Sequence, residues 1–99
     1  MEDGDDLHFI WDPVKAAANL EKHGVSFEIA TFVFDDALRL EDDDAFAQGE
    51  YRTIVIGKVG EFVLTVVYST PEESFYRIIS ARLATANERR TYEQHLFHP

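Results

Sequence analysis

The sequence predicts an α+β fold in which two N-terminal helices and one C-terminal helix pack on an antiparallel sheet of three to four strands. Helix signals fall toward the two ends of the chain, whereas the alternating apolar pattern of strands fills most of residues 51–82. Helices and strands that occupy separate stretches are typical of α+β proteins, in which helices cover one face of the sheet. We therefore expect one domain over residues 1–99.

The chain begins with an extended segment and a helix. We expect residues 1–8 to form a flexible acidic tail, and the apolar run at residues 9–11 is a candidate strand. Asp12 and Pro13 predict the start of a helix, because the carboxylate can accept free amide N–H groups and proline lacks one of them. This helix should continue to His23.

Glycine and serine mark the boundary between the first two helices. Gly24 is the residue type that ends a helix in the left-handed conformation. Lys22 and His23 precede it in the last turn, where cations complement the helix dipole. Ser26 can then cap a second, short helix that should stop near residues 35–36.

The middle of the chain predicts the sheet. Residues 37–40 are a candidate first strand, and residues 51–58 and 62–68 should form a hairpin because both are rich in valine, isoleucine, threonine and aromatic side chains. We expect a second turn at residues 71–74 and a further strand at residues 75–82.

A capping box predicts the last helix. Thr85 can accept a hydrogen bond from the amide of Glu88, and the Glu88 carboxylate can reach back to the amide of Thr85. The helix should run to about Gln94, and we expect residues 95–99 to fray.

The composition indicates a folded protein without disulfides. Of the 99 residues, 45% are hydrophobic and 13% aromatic, which is too many for a disordered chain. The absence of cysteine excludes disulfides, a thiolate metal site and a cysteine nucleophile. The acidic start differs from a secretory signal and no apolar run reaches the length of a membrane span, so we expect a cytoplasmic protein without membrane contacts.

The net charge of −10 argues against binding to nucleic acids and anionic membranes, which such a surface repels at long range. The charge is uneven, however. Acids cluster at residues 2–6 and 41–44, which we expect to be solvated outside the helices and core strands, whereas residues 51–99 hold six of the nine basic residues. A local cationic surface is therefore possible.

Lys22 and His23 are the first candidates for chemistry. A histidine can donate or accept a proton near neutral pH, and a lysine beside it can hold a phosphate. The alternative is that both residues only complement the end of their helix.

Arg52, Arg77 and Arg82 form the second group, in or at the ends of predicted strands. The planar guanidinium suits phosphate because it donates two parallel hydrogen bonds and stays charged. Arg77 and Arg82 are five positions apart, so in a regular strand they point to opposite faces. They share one site only if a bulge intervenes or if Arg82 lies beyond the end of the strand. Salt bridges within an acid-rich protein are the alternative.

Glu50, Tyr68 and Arg89 are weaker candidates. Tyr68 could stack on a base or pack in the core, and Arg89 could contact phosphate or pair with nearby acids on its helix. We expect no cofactor and no metal site, because the acids at residues 42–44 lack the spacing of a calcium loop.

Taken together, these motifs resemble the BrnT family of ribonuclease toxins, in the order of that family and over roughly residues 9–93. The first part resembles its opening pattern F-x-W-D-x-x-K…N…K-H-G-V-S-F-x-x-A: Phe9, Trp11, Asp12, Lys15, Asn19, residues 22–27 and Ala30. The later part resembles its G-E-x-R, I-G and R-I-I-S-A-R-x-A…E-R…Y blocks: residues 49–52, Ile56, Gly57, residues 77–84, Glu88, Arg89 and Tyr92.

The resemblance implies a RelE-like fold and a type II toxin–antitoxin system. The toxin would cleave RNA without a metal ion and inhibit translation. Its partner would be a BrnA-like ribbon-helix-helix antitoxin. The toxin would contact DNA only indirectly, through that antitoxin. By resemblance, His23 is an acid or base, and Lys22, Arg52, Arg77 and Arg82 bind phosphate. Glu50 and Tyr68 are secondary candidates for base chemistry and base stacking.

Two alternatives remain open. The chain could be a non-catalytic module that acts only by binding its antitoxin, as the acidic charge suggests. It could also be a metal-dependent hydrolase, a class that requires ligands we do not find at suitable spacing.

Overall fold

Within residues 7–47 and 50–97, which the computed structural model describes, a five-stranded sheet forms the centre of the fold. The elements are β1 (His8–Ile10), α1 (Pro13–His23), α2 (Phe27–Ala30), a 3₁₀ helix (Thr31–Asp35), β2 (Leu40–Ala47), β3 (Glu50–Val59), β4 (Phe62–Glu72), β5 (Phe75–Leu83) and α3 (Ala86–Phe97). The strand order is β1-β5-β4-β3-β2. β1 runs parallel to β5, and the other neighbouring strands are antiparallel.

The α+β class is confirmed, but the sheet is larger than predicted. It has five strands in the described residues rather than three to four. His8 belongs to β1 and not to a tail, whereas residues 1–6 lie outside the described residues. The acids Glu41 and Asp42 lie within β2, although we expected residues 41–44 outside the strands. Pairing with β3 outweighs their low strand propensity, because charged side chains are tolerated on an edge strand.

The last helix is also longer than predicted. It continues to Phe97 rather than ending near Gln94. Leu96 is partly buried and packs against the cluster of Val63, Ala84 and Tyr92, so an apolar contact stabilises the turn that we expected to fray. Residues 98–99 lie outside the described part of the chain.

The predicted bounds of the first helix and the predicted start of the second are confirmed, whereas the second α-helix ends at Ala30 and continues as the 3₁₀ helix to Asp35. The Asp12 carboxylate accepts the N–H of Val14 at 2.8 Å, and α1 begins at the proline that follows. Gly24 ends the helix with φ of 73°, in the left-handed region. The Ser26 hydroxyl accepts the N–H of Ile29 at 3.1 Å and starts α2.

The main core lies between the α2 and 3₁₀ segment and one face of the sheet. Phe27 and Val33 are fully buried there and pack with Val55 and Val66. Gly57 permits the close approach of the 3₁₀ helix to β3, because a Cβ atom at this position would lie 3.2 Å from the Cβ of Val33. We call this side of the sheet the core face.

α3 covers part of the opposite face. Glu88 of α3 accepts hydrogen bonds from the Thr65 hydroxyl of β4 at 2.9 Å and from the Arg82 guanidinium of β5 at 2.7 and 2.9 Å. Farther along the helix, the Tyr92 hydroxyl donates to the Asp36 carboxylate at 2.5 Å. Polar contacts from two strands and from the segment after the 3₁₀ helix therefore fix α3, and we call this side the α3 face.

One buried asparagine joins α1 to the edge of the sheet. β1 pairs with residues 75–77 of β5, and farther along the same strand the Asn19 amide takes the place of a neighbouring strand. Its Nδ2 donates to the Ala81 carbonyl at 2.8 Å and to the Val25 carbonyl at 3.0 Å, and its Oδ1 accepts the Ala81 N–H at 3.2 Å. Because these backbone groups are buried, Asn19 satisfies hydrogen bonds that water cannot reach.

Replacing Asn19 with alanine should lower the free energy of unfolding by about 3 kcal/mol, because buried backbone groups at Ala81 and Val25 lose their partner. Urea denaturation followed by circular dichroism measures this change. The control is Asn87→Ala on exposed α3 surface, which should cost no more than about 0.5 kcal/mol. Equal losses in the two variants would contradict the role of Asn19.

Glu88→Gln should destabilise the protein at neutral pH and have little effect near pH 2. Hydrogen bonds from Arg82, Thr85 and Thr65 lower the pKa of the Glu88 carboxyl to about 2. A carboxyl whose pKa falls on folding contributes stability above its ordinary value of 4.5, and the contribution disappears as the pH falls toward 2.

Thermal unfolding of the wild type and the Glu88→Gln variant between neutral pH and pH 2 tests this expectation. The difference in Tm should shrink as the pH falls through that range. Glu93→Gln, which changes an exposed acid on the same helix, should show a small difference throughout. A Glu88 difference that does not depend on pH would exclude the ion pair as its cause.

Candidate functional site

A cationic groove lies between α1 and the sheet. It has a volume of about 360 Å³. Its lining combines three cations with a histidine, two neutral polar side chains and two apolar residues. The lining residues are Lys15, Ala18, Asn19, Lys22, His23, Arg52, Ile79 and Ser80. We call it the cationic groove.

Helical spacing brings the α1 residues to this groove. Lys15, Ala18, Asn19 and Lys22 follow the i, i+3, i+4, i+7 pattern and so lie on one face of the helix. Lys22 and His23, both predicted as site residues, occur here together with Arg52. Lys15 was absent from the predicted site, although the same helical spacing was visible in the sequence.

A bulge in β5 brings two distant arginines to the same face of the sheet. Val67 pairs with Ser80 but Tyr68 pairs with Ile78, so Ile79 is an extra residue in the strand. As a result Arg77 pairs with Ser69, and Arg82 pairs with Thr65. Both pairs belong to the α3 face by strand alternation. This bulge is the condition under which we expected the two arginines to share a face.

Arg82 is nevertheless held away from the cationic groove. Its guanidinium makes a two-pronged ion pair with Glu88, at 2.7 and 2.9 Å. The Glu88 carboxylate raises the pKa of Arg82, and the pKa of Glu88 is lowered in return. Arg82 therefore joins β5 to α3, in accordance with the salt-bridge alternative.

Arg77 and Glu50 form a second ion pair beside the groove. The Arg77 guanidinium lies 3.0 Å from a Glu50 carboxylate oxygen, and the two side chains are 42% and 30% exposed. The Ser69 hydroxyl, followed by the positive charges of Arg77 and Arg52, lowers the pKa of Glu50. Glu50 is therefore an ionised carboxylate among arginines, one of which also lines the cationic groove.

Tyr68 lies on the core face, away from the groove. Its hydroxyl donates to Glu41 at 2.6 Å, and its ring stacks on Tyr76 with 5.2 Å between centroids. Burial and then the Glu41 carboxylate raise the pKa of the Tyr68 hydroxyl. Only 5% of the residue is exposed, so its ring packs in the core rather than offering a surface for a base. Arg89 is exposed on α3 and does not line the groove.

Two further observations concern the described residues only. Among residues 7–47 and 50–97, no group of three or more histidine, aspartate or glutamate side chains is arranged to hold a metal ion. In the same part of the chain, no helix is both long enough and apolar enough to cross a membrane.

Comparisons with known proteins identify the family. A family model described as the ribonuclease toxin BrnT of type II toxin–antitoxin systems matches residues 11–88. The 1.1 Å crystal structure of the Brucella abortus ribonuclease toxin BrnT is a structural neighbour, with a TM-score of 0.60 and 22% sequence identity. The similarity covers 80% of this chain and 97% of the Brucella chain. No curated protein matches the sequence significantly.

The structural likeness supports the α+β fold, and the family model confirms the family inferred from the ordered motifs. A toxin of this class implies an antitoxin as partner. The match extends from the tryptophan before α1 to the glutamate that fixes α3, and so includes the segments that build the cationic groove. This chain belongs to the BrnT family of type II toxin–antitoxin ribonuclease toxins.

Proposed function

We propose that this protein is a metal-independent endoribonuclease that cleaves RNA and inhibits translation in the bacterial cytoplasm, and that a BrnA-like ribbon-helix-helix antitoxin neutralises it. The observation that carries the proposal is the cationic groove. In a chain with a net charge of −10, Lys15, Lys22 and Arg52 converge on one groove together with His23. Such a local concentration of cations fits a phosphate backbone.

RNA cleavage of this kind needs few groups from the protein. The ribose 2′-oxygen attacks the adjacent phosphorus, and the bond from phosphorus to the 5′-oxygen breaks. A base takes the 2′-hydroxyl proton, and an acid gives a proton to the leaving 5′-oxygen. The products are a cyclic phosphate and a 5′-hydroxyl, so neither water nor an oxidant is consumed.

The groove residues supply a proton-transfer group and cations for the phosphate. His23 acts as the acid or the base, because an imidazole can donate or accept a proton. Arg52 and the two α1 lysines hold the phosphate and stabilise the negative charge that builds on its oxygens. Arg77 lies beside the groove, where Glu50 orients its guanidinium through their ion pair.

His23→Ala and Arg52→Ala should each lower the rate of RNA cleavage by about 100-fold or more, because they remove proton transfer and phosphate stabilisation. Lys15→Ala should lower the rate by less, since a solvated lysine acts as a point charge. The assay follows a fluorescent RNA with the purified protein at low salt, in the presence of EDTA.

Lys58→Ala is the matched control, because it removes an exposed positive charge that does not line the cationic groove. It should cleave at the wild-type rate. In bacteria, induction of the wild type should stop growth and translation, and the two groove variants should relieve the arrest. Cleavage that EDTA abolishes, or that His23→Ala leaves unchanged, would contradict the proposal.

The charge distribution favours one other candidate, a non-catalytic toxin relative that acts only by binding its antitoxin. Ion pairs with Glu50 and Glu88 engage Arg77 and Arg82, and both arginines are then less available to phosphate. A protein of this kind would bind its partner and would leave RNA intact.

Binding of a non-cleavable 2′-O-methyl RNA separates the two candidates. The logarithm of the affinity should fall linearly with the logarithm of salt, and Arg52→Ala should reduce the magnitude of the slope by about 0.7, the value for one phosphate contact on a single strand. Fluorescence anisotropy at several salt concentrations measures both slopes. An affinity that does not change with Arg52→Ala would favour the non-catalytic candidate.

A further inference from the structure

Two arginines on the α3 face form ion pairs of different geometry. Arg82 uses two nitrogens, Nη1 and Nη2, which lie 2.7 and 2.9 Å from the two carboxylate oxygens of Glu88. Arg77 contacts both carboxylate oxygens of Glu50 through one nitrogen, Nη1, at 3.0 and 3.4 Å. Two parallel hydrogen bonds make the Arg82 pair strong and geometrically specific, and the Arg77 pair lacks this arrangement.

The two acids also differ in what their movement would disturb. Glu88 accepts a further hydrogen bond from the Thr65 hydroxyl at 2.9 Å and holds α3 on the sheet. Glu50 is the first residue of β3, its side chain is 30% exposed, and the Ser69 hydroxyl stabilises its carboxylate. Rotation of the Glu50 side chain away from Arg77 would therefore leave the backbone pairing of the sheet intact.

Phosphate can replace the Glu50 carboxylate on Arg77. The ion pair is partly exposed, with the Arg77 side chain 42% exposed, and ion pairs in contact with solvent contribute little to stability. A phosphate group carries negative charge, and its oxygens can accept two parallel hydrogen bonds from a guanidinium. The exchange therefore breaks one weak contact and forms a stronger one.

Arg52 connects this ion pair to the cationic groove. It lines the groove, and its positive charge, after the Ser69 hydroxyl and Arg77, lowers the pKa of Glu50. Glu50 and Arg52 are two positions apart on β3, so their side chains lie on the same face. Because the phosphates of one RNA strand are linked, binding of one phosphate in the groove raises the effective concentration of its neighbours at Arg77.

We propose that Arg77 is a binding site for an RNA backbone phosphate next to the cationic groove, and that the Glu50 carboxylate occupies this site in the free protein. When RNA binds, a phosphate takes the place of the carboxylate on the guanidinium, and the Glu50 side chain turns toward solvent. RNA as the ligand rests on the function proposed above, whereas cleavage is not required. Glu50 therefore weakens RNA binding, and its removal strengthens it.

Glu50→Gln should tighten the Kd for a non-cleavable 2′-O-methyl RNA by about threefold to fivefold, because a neutral amide does not compete with phosphate for Arg77. Fluorescence anisotropy at low salt measures the Kd. Glu21→Gln is the matched control, since it removes the same charge from an exposed position beside Lys22 that does not line the groove. It should change the Kd by less than about twofold.

A double-mutant cycle tests whether Arg77 causes the effect. In an Arg77→Ala background, Glu50→Gln should tighten the Kd clearly less, because only the repulsion between the carboxylate and RNA remains to be removed. Tightening that is equal or larger without Arg77 would overturn the proposal. A wild-type background in which Glu50→Gln leaves the Kd unchanged or weakens it would also overturn it. Circular dichroism establishes that each variant is folded.

RNA cleavage by the free wild type reports on the proposed function independently. The expected Kd cycle, together with a wild type that cleaves no RNA, would support the phosphate site and contradict the nuclease. A wild type that cleaves RNA but whose Kd does not respond to Glu50→Gln would overturn the phosphate site alone. Absence of RNA binding in both the wild type and Glu50→Gln would overturn both proposals.

Discussion

The contact on which the candidate site depends is the Asn19 side chain against the edge of β5. α1 carries Lys15, Lys22 and His23, and β3 carries Arg52, so the cationic groove forms only if the helix lies at a fixed position beside the sheet. Asn19 supplies that position because its amide both donates to and accepts from the backbone of Ala81. A purely apolar contact would permit sliding, whereas paired hydrogen bonds define one register.

The bulge in β5 fixes the position of the strand residues on the side of the groove opposite α1. With one extra residue at Ile79, the strand places Ser80 and Arg77 on the α3 face while Ala81 still packs in the core. The α3 face is then divided. Its end near Arg82 is covered by α3 through Glu88, whereas Arg77 and Arg52 lie toward the other end.

The local signals in the sequence predicted the local structure. Asp12, Gly24 and Ser26 marked helix ends correctly, because capping depends on a few neighbouring residues. Contacts between distant segments were less predictable. The strand through Glu41 forms because β3 pairs with it, and Tyr68 faces the core because of its register with β3 and β5. Lys15 could have been found by extending the helical spacing back from Lys22.

The positions of the acidic residues explain more about the cationic groove than the net charge does. Glu88 and Glu50 each neutralise one arginine on the α3 face, and Glu41 accepts from Arg39 and Tyr68. Lys15 and Lys22 lie on exposed helix surface, beyond these ion pairs. Because screening limits Coulomb interactions to about 10 Å at moderate salt, the potential at the groove depends mainly on the charges that line it, and these are Lys15, Lys22 and Arg52.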